Sequence, residues 1–206
     1  MYRLLWISGR KIELDNCPTG DTVNVMEKRF RVADSYGEHL WTRDTGRHAR
    51  QDLEKQLEAL EPGNTLVIDL AGVQVFDYSF ASEFFGKVLL ALPREFPDRF
   101  LIVENLTDYT HENLVQALEG LGLAMVERKK GKLNLIGKVH SADVETFRAI
   151  EHSKIPVTSN HLKERLEINL TAVNERLAKL AGMGLIRRSR ITSPAGREQY
   201  QYSIPP

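Results

Sequence analysis

Thr65-Leu66-Val67-Ile68-Asp69-Leu70 is a mostly apolar run that lacks the polar and apolar alternation of a half-solvated strand. Such a strand is covered on both faces, which places it at the centre of a sheet. Phe100 to Val103 is a second run of this kind. Around them the period becomes helical. Thr45 to Leu60 carries Ala49, Leu53, Leu57 and Leu60 among charged residues, and Glu61-Pro62-Gly63-Asn64 stops it. A further helix starts near Ser79 with Phe80, Phe84, Phe85, Val88 and Leu89, and Pro93 is expected to end it. Thr110 to Leu121 aligns Leu114, Leu118 and Leu121 on one face of a helix. Leu123 to Val126 and Leu133 to Ile136 flank a charged turn, Glu127 to Lys132, and predict a final hairpin. This alternation implies an α/β sandwich, with helices crossing one or both faces of a mixed sheet.

The chain has 206 residues, enough for two modest domains. Residues 1–26 read as a β-rich extension, residues 27–140 as the α/β domain and residues 141–206 as a second domain. Short β-like runs precede the first helix at Arg3 to Ile7, Thr22 to Met26, Phe30 to Val32 and Glu38 to Trp41, broken by turn-formers at Asn16 to Asp21 and Asp34 to Gly37. Formal net charge is zero, but it divides as +3 over residues 141–206 and −3 over residues 1–140. The cations of the second part cluster at Arg187, Arg188, Arg190 and Arg197, and a local patch matters more to phosphate binding than the total. Cys17 is the only cysteine, which excludes an intramolecular disulfide and a cysteine-based zinc site. The apolar start, Met1 to Ile7, is too short for a signal-peptide core or a membrane span. The expectation is a cytoplasmic protein without membrane contact.

From Ser141 onward three helices are expected. Val144, Phe147 and Ile150 share one face, and Ile155-Pro156 closes that helix. Thr158 or Ser159 can cap a second with Leu162 and Leu166 inward. Asn169 can cap a third, with Val173, Leu177 and Leu180 inward and Gly182 or Gly184 at its end. Only Glu167-Ile168-Asn169 joins the last two, the compact geometry of a helix-turn-helix. Leu185 to Ile191, Thr192 to Gly196 and Arg197 to Ile204 then read as a β-wing. These residues resemble the winged helix-turn-helix of MarR-like bacterial regulators. The resemblance implies that the third helix enters the major groove of double-stranded DNA. Asn169, Thr171, Ala172, Asn174 and Glu175 would then meet base edges, with Lys179 nearer the backbone. Arg187, Arg188, Arg190 and Arg197 would neutralise phosphates or reach the minor groove.

In the first domain, Asp69 to Gly86 with Gly37 to Arg43 and Gly46 to Arg50 resembles the STAS-like domain of unknown function, a relative of the anti-sigma-factor antagonists, over roughly residues 27–136. The antagonist pattern is Asp-Ser-(Ser/Thr)-Gly, its first serine being the phosphoacceptor. Asp77 matches, Tyr78 stands at the acceptor position, Ser79 matches the next residue and Phe80 replaces the glycine. The resemblance leaves Tyr78, Ser79 or Ser82 as acceptors, and the plainer reading makes Asp77 or Ser79 a helix cap. Arg43, Arg47 and Arg50 surround a helix start and could meet an anion or an acidic partner, provided they face the Asp77 to Ser82 loop.

The sequence carries no Gly-rich phosphate loop, nucleophile elbow or His-Glu-x-x-His pattern, so neither enzyme activity nor a cofactor is expected. Asp69 with Glu127-Arg128-Lys129 is weakly similar to a nuclease metal site. The reading is a homodimeric DNA-binding transcriptional regulator whose STAS-like domain receives a signal or docks a protein. The alternative is a phosphorylation-controlled switch that binds a kinase-type or sigma-related partner and uses its winged helix for protein contacts.

Overall fold

The computed structural model describes residues 27–193 and 196–206, together with the backbone of β1 (Leu5–Ile7) and β2 (Arg10–Ile12), which pair antiparallel. The expected strand Thr22 to Met26 lies outside the described residues. The five-stranded sheet has the order β3 (Glu27–Arg31), β5 (Thr65–Asp69), β7 (Phe100–Glu104), β8 (Ala124–Lys129), β9 (Lys132–Gly137), parallel except for β9. It is connected by α1 (Val32–Tyr36), β4 (His39–Leu40) and α2 (Arg43–Glu58), then by β6 (Val75–Phe76), α3 (Tyr78–Ala81) and α4 (Lys87–Glu95), then by α5 (Asp108–Leu121).

From β3 to β8 the strands advance in one direction across the sheet. Right-handed crossovers then put every connecting helix on the same face. Leu53 and Leu57 of α2, Phe80, Phe84, Phe85 and Val88 of the central helix, and Leu114 and Leu118 of α5 share a core with Leu66, Ile68, Leu101, Val103 and Met125. Val67, Ile102 and Val126, which alternate with these, point to the opposite face.

That second face is covered by the C-terminal part of the chain: α6 (Ser141–Ser153), β10 (Val157–Thr158), α7 (Ser159–Leu166), α8 (Leu170–Gly182), β11 (Arg187–Thr192) and β12 (Glu198–Ser203). Phe147, Ile150, Leu162, Val173, Leu177 and Leu180 form one buried cluster with Val67, Ile102, Ala124 and Val126. The apolar cores therefore do not divide at His140. Three side chains cap the helices as expected: Thr158 Oγ1 accepts from the His161 N–H, Asn169 Oδ1 from the Ala172 N–H and Asp77 Oδ1 from the Phe80 N–H. Glu167, joining α7 to α8, adopts the left-handed conformation (φ 55°). The strand β10, which pairs with β12 to make a three-stranded antiparallel sheet, was not foreseen.

Four expectations need correction. Val32 begins a short helix rather than ending a strand, so Asp34 lies in a helix and not a turn. Pro93 does not end its helix, which runs to Glu95. The proline sits in the last turn, where few hydrogen bonds remain to be lost, and buried Leu89, Leu92 and Phe96 hold that turn on the core. The central helix also contains a π-helical turn, Ser82–Gly86, which lets Phe84 and Phe85 both enter the core. Finally, the β8–β9 turn is confined to Lys130 and Gly131, both at positive φ as a two-residue hairpin favours. Glu127 is therefore a strand residue.

Because one cluster holds the sheet and the C-terminal helices together, they are expected to unfold as a unit. Phe147→Ala should cost about 3–5 kcal/mol and lower the midpoint of a single calorimetric transition. A second transition, with the sheet outlasting the C-terminal helices, would contradict the shared core.

Candidate functional site

Along β11 the side chains alternate, Arg188 and Arg190 exposed, Arg187, Ser189 and Ile191 half-buried. Arg190 lies opposite Tyr200 and Arg188 opposite Tyr202 in the antiparallel register. The Tyr200 ring sits beneath both arginines, its centroid 4.8 Å from the Arg188 guanidinium carbon and 5.8 Å from that of Arg190. The same tyrosine lines a shallow pocket with Ser159 and Asn160 of α7 and Leu170 and Asn174 of α8. The hairpin arginines, the start of α7 and the outer side of α8 thus form one surface. Thr171, Asn174 and Glu175 are exposed on it, and Arg197 is exposed at the hairpin turn.

Other predicted contact residues are committed elsewhere. Asn169 spends its side-chain oxygen on the helix cap, 2.8 Å from the Ala172 nitrogen, and Ala172 is half-buried. Lys179 Nζ donates to Asp143 Oδ2 at 2.6 Å, because the carboxylate of α6, 5% exposed, needs a cation beside it. Arg187 is half-buried. It turns toward the sheet, its Nε 4.0 Å from Asp98 and its guanidinium so close to Gly63 that a side chain there would collide with it. Tyr200 was missed by sequence reasoning. The available signal was alternation, since Arg188, Arg190 and Tyr200 come together once the hairpin register is known.

In the sheet domain, β4 and β6 form a small parallel ladder that joins the loop before α2 to the loop before α3. Thr42, at φ 77°, caps α2 and donates its N–H to Asp77 Oδ2 at 3.4 Å. Gly46 lets α2 approach α3, a Cβ at that position lying 3.1 Å from the Phe80 carbonyl oxygen. This arrangement turns Arg50 toward Glu83 of the π-helical turn (3.5 Å), while its other nitrogen donates to Glu54 at 2.7 Å. Arg47 donates to Asp44, and Arg43 is exposed. Burial pushes Glu83 upward, but the Lys87 ammonium and the Arg50 and Arg43 charges outweigh it and hold the carboxyl below its ordinary range. Tyr78 is exposed, whereas Ser79 and Ser82 are half-buried.

The carboxyl ends of parallel strands are where open α/β sheets hold ligands. Here that edge carries Arg31, Asp69, Glu104 and Arg128 on the second face, and the side chains of Arg29 and Glu27, from the middle and the start of β3, join them. The set is internally compensated. Asp69 accepts from Asn105 Nδ2 (2.7 Å), the Ala71 N–H (2.9 Å) and Arg29 (3.2 Å); Arg29 also pairs with Glu104, and Arg128 donates to Glu27 (2.7 Å) and Glu104 (3.4 Å). Glu127 lies on the opposite face, 3.5 Å from His111, so Asp69 and Glu127 do not share a metal site. Among the described residues no cluster of three or more His, Cys, Asp or Glu could hold a metal ion.

Residues 46–111 match the STAS-like domain of unknown function (DUF4325). This STAS-like segment runs from α2 through β5, the π-helical turn and β7 into α5, and so contains Asp77, Tyr78, Ser79 and Ser82 as well as Arg47 and Arg50. A solved structure named as a possible transcriptional regulator from Methanosarcina mazei Go1 is similar at 19% identity with a TM-score of 0.30, over 32% of this chain. The chain spans 56% of that structure's length. No curated protein matches the chain. No helix among the described residues is long and apolar enough to cross a membrane.

Burial opposes ionisation of Asp69, but the Asn105, Ala71 and Arg29 donors together hold its carboxyl below the ordinary value. A folded-state value below the unfolded one adds stability above the unfolded value and loses it as pH falls through the folded value. Asp69→Asn should therefore destabilise the protein by roughly 1–3 kcal/mol at pH 7, with the gap to wild type narrowing below about pH 4. Urea denaturation across pH tests this, and a gap independent of pH would refute it.

Proposed function

We propose that the chain is a DNA-binding regulator. In this reading residues 141–206 act as a winged helix-turn-helix, and the sheet domain receives the signal or docks the protein that controls it. The observation that carries the reading is the outer surface of α7, α8 and the β11–β12 hairpin, where Tyr200 shares a pocket with Asn174 of α8 and lies beneath Arg188 and Arg190. The helices α7 and α8 are joined by Glu167, Ile168 and Asn169 alone, the short connection expected of a helix-turn-helix.

The chemistry of the surface suits a duplex. An asparagine can pair with the N6 and N7 edge of adenine, a threonine can meet the thymine methyl group, and Glu175 can accept from the cytosine amino group. Arg188 and Arg190 supply cations for phosphate or the minor groove. Zero net charge on the whole chain makes non-specific attraction weak, so affinity depends on this local surface.

Random-sequence 30-base-pair duplexes enriched through successive rounds of binding to the full-length protein provide the probe. The Arg188→Ala and Arg190→Ala double variant should lose at least about tenfold in affinity at low salt, and the slope of log affinity against log salt should flatten by up to about two. Arg187→Ala, whose partner is Asp98, should leave that slope unchanged. Failure to enrich any duplex, or equal binding by the double variant, would overturn the proposal.

A further inference from the structure

We infer that Tyr200 is the positioning residue of the DNA surface: its ring holds Arg188 and Arg190 in the register that lets them act together with Asn174 of α8. The inference rests on the DNA-binding reading and deepens it.

Two cations on alternate positions of one strand face repel each other and, left to themselves, carry long side chains with many rotamers. Arg188 and Arg190 share the negative face of a single ring instead, with guanidinium carbons 4.8 Å and 5.8 Å from its centroid, both within the range of cation–π attraction. The register explains how. Tyr200 is directly opposite Arg190 and diagonal to Arg188, so one side chain reaches both. Neither arginine has a carboxylate partner among the described ion pairs, in contrast to Arg176 and Lys179 on α8, which are tied to Glu145 and Asp143 of α6. The ring is therefore the contact that these two side chains share, and both remain exposed.

Tyr200 also faces α8. It lines the pocket shared by Asn174, Leu170, Asn160 and Tyr202, which places one ring between the base-reading side of the helix and the arginines of the hairpin. Tyr202, buried below it, anchors β12 in the core and does not take this part. A pre-ordered pair of guanidinium groups loses less freedom on binding than two mobile ones, so the ring raises affinity without touching the duplex.

The test is a double-mutant cycle by fluorescence anisotropy on the enriched duplex, with the full chain. Tyr200→Leu keeps bulk but removes the ring face and should weaken binding roughly tenfold, whereas Tyr200→Phe keeps the face and should bind within about twofold of wild type. In the Arg188→Ala, Arg190→Ala background, Tyr200→Leu should have no further effect, because nothing remains for the ring to position. Thermal midpoints of the variants confirm that the fold is retained. Equal affinity for Tyr200→Leu and wild type overturns the inference while leaving DNA binding intact, as does a Leu effect of the same size in both backgrounds, which is what a purely structural role would give. If the wild-type protein enriches no duplex, the DNA-binding reading falls and the inference with it.

Discussion

Val67, Ile102 and Val126 lie side by side on the second face of the sheet, and keeping that row from water governs how the rest of the chain is arranged. The crossover helices all lie on the first face, so the row stays bare until the C-terminal helices dock on it. Burying three such side chains is worth about 5 kcal/mol or more, comparable with the whole net stability of a small domain. The docking therefore fixes α6 and α8 to the sheet, and the outer side of α8 and the hairpin is what remains turned to solvent.

The same geometry sorts the cations. Those of the C-terminal part that face the helix joints or the sheet are consumed: Arg148 by Asn134 and Glu151, Arg176 by Glu145, Lys179 by Asp143 and Arg187 by Asp98. Arg188, Arg190 and Arg197 are left exposed on the hairpin. A chain with no net charge thus leaves these three cations exposed together on one hairpin. On the sheet, the opposite arrangement holds, for the carboxylates Asp69 and Glu104 are ringed by Arg29 and Arg128 and present little uncompensated charge.

Much of this was legible in the residues. The unbroken apolar runs at Thr65 to Leu70 and Phe100 to Val103 require cover on both faces, and the helical spacing of Leu114 and Leu118 or of Val173, Leu177 and Leu180 marks the sides that supply it. The caps Asp77, Thr158 and Asn169 were readable for the same local reason. What was not legible depends on contacts distant in sequence. Arg187 and Arg188 are neighbours in the chain, yet strand alternation sends one to Asp98 and the other to Tyr200. Lys179 looks like a free cation on a helix until α6 brings the buried Asp143 against it. Glu127 reads as part of a charged turn because the turn itself needs only Lys130 and Gly131. Pro93 breaks the local rule since the core holds its turn in place.

Hydrogen exchange with mass detection, on the full-length protein with and without the enriched duplex, tests the central claim most directly. Protection on duplex binding should concentrate in Leu170 to Ala178 and in Arg188 to Tyr200, with the strands Thr65–Asp69 and Phe100–Glu104 already slow in both states. Protection centred instead on His39 to Arg50 and Asp77 to Ser82, or no change anywhere, would contradict the assignment of the DNA surface to the C-terminal helices and hairpin.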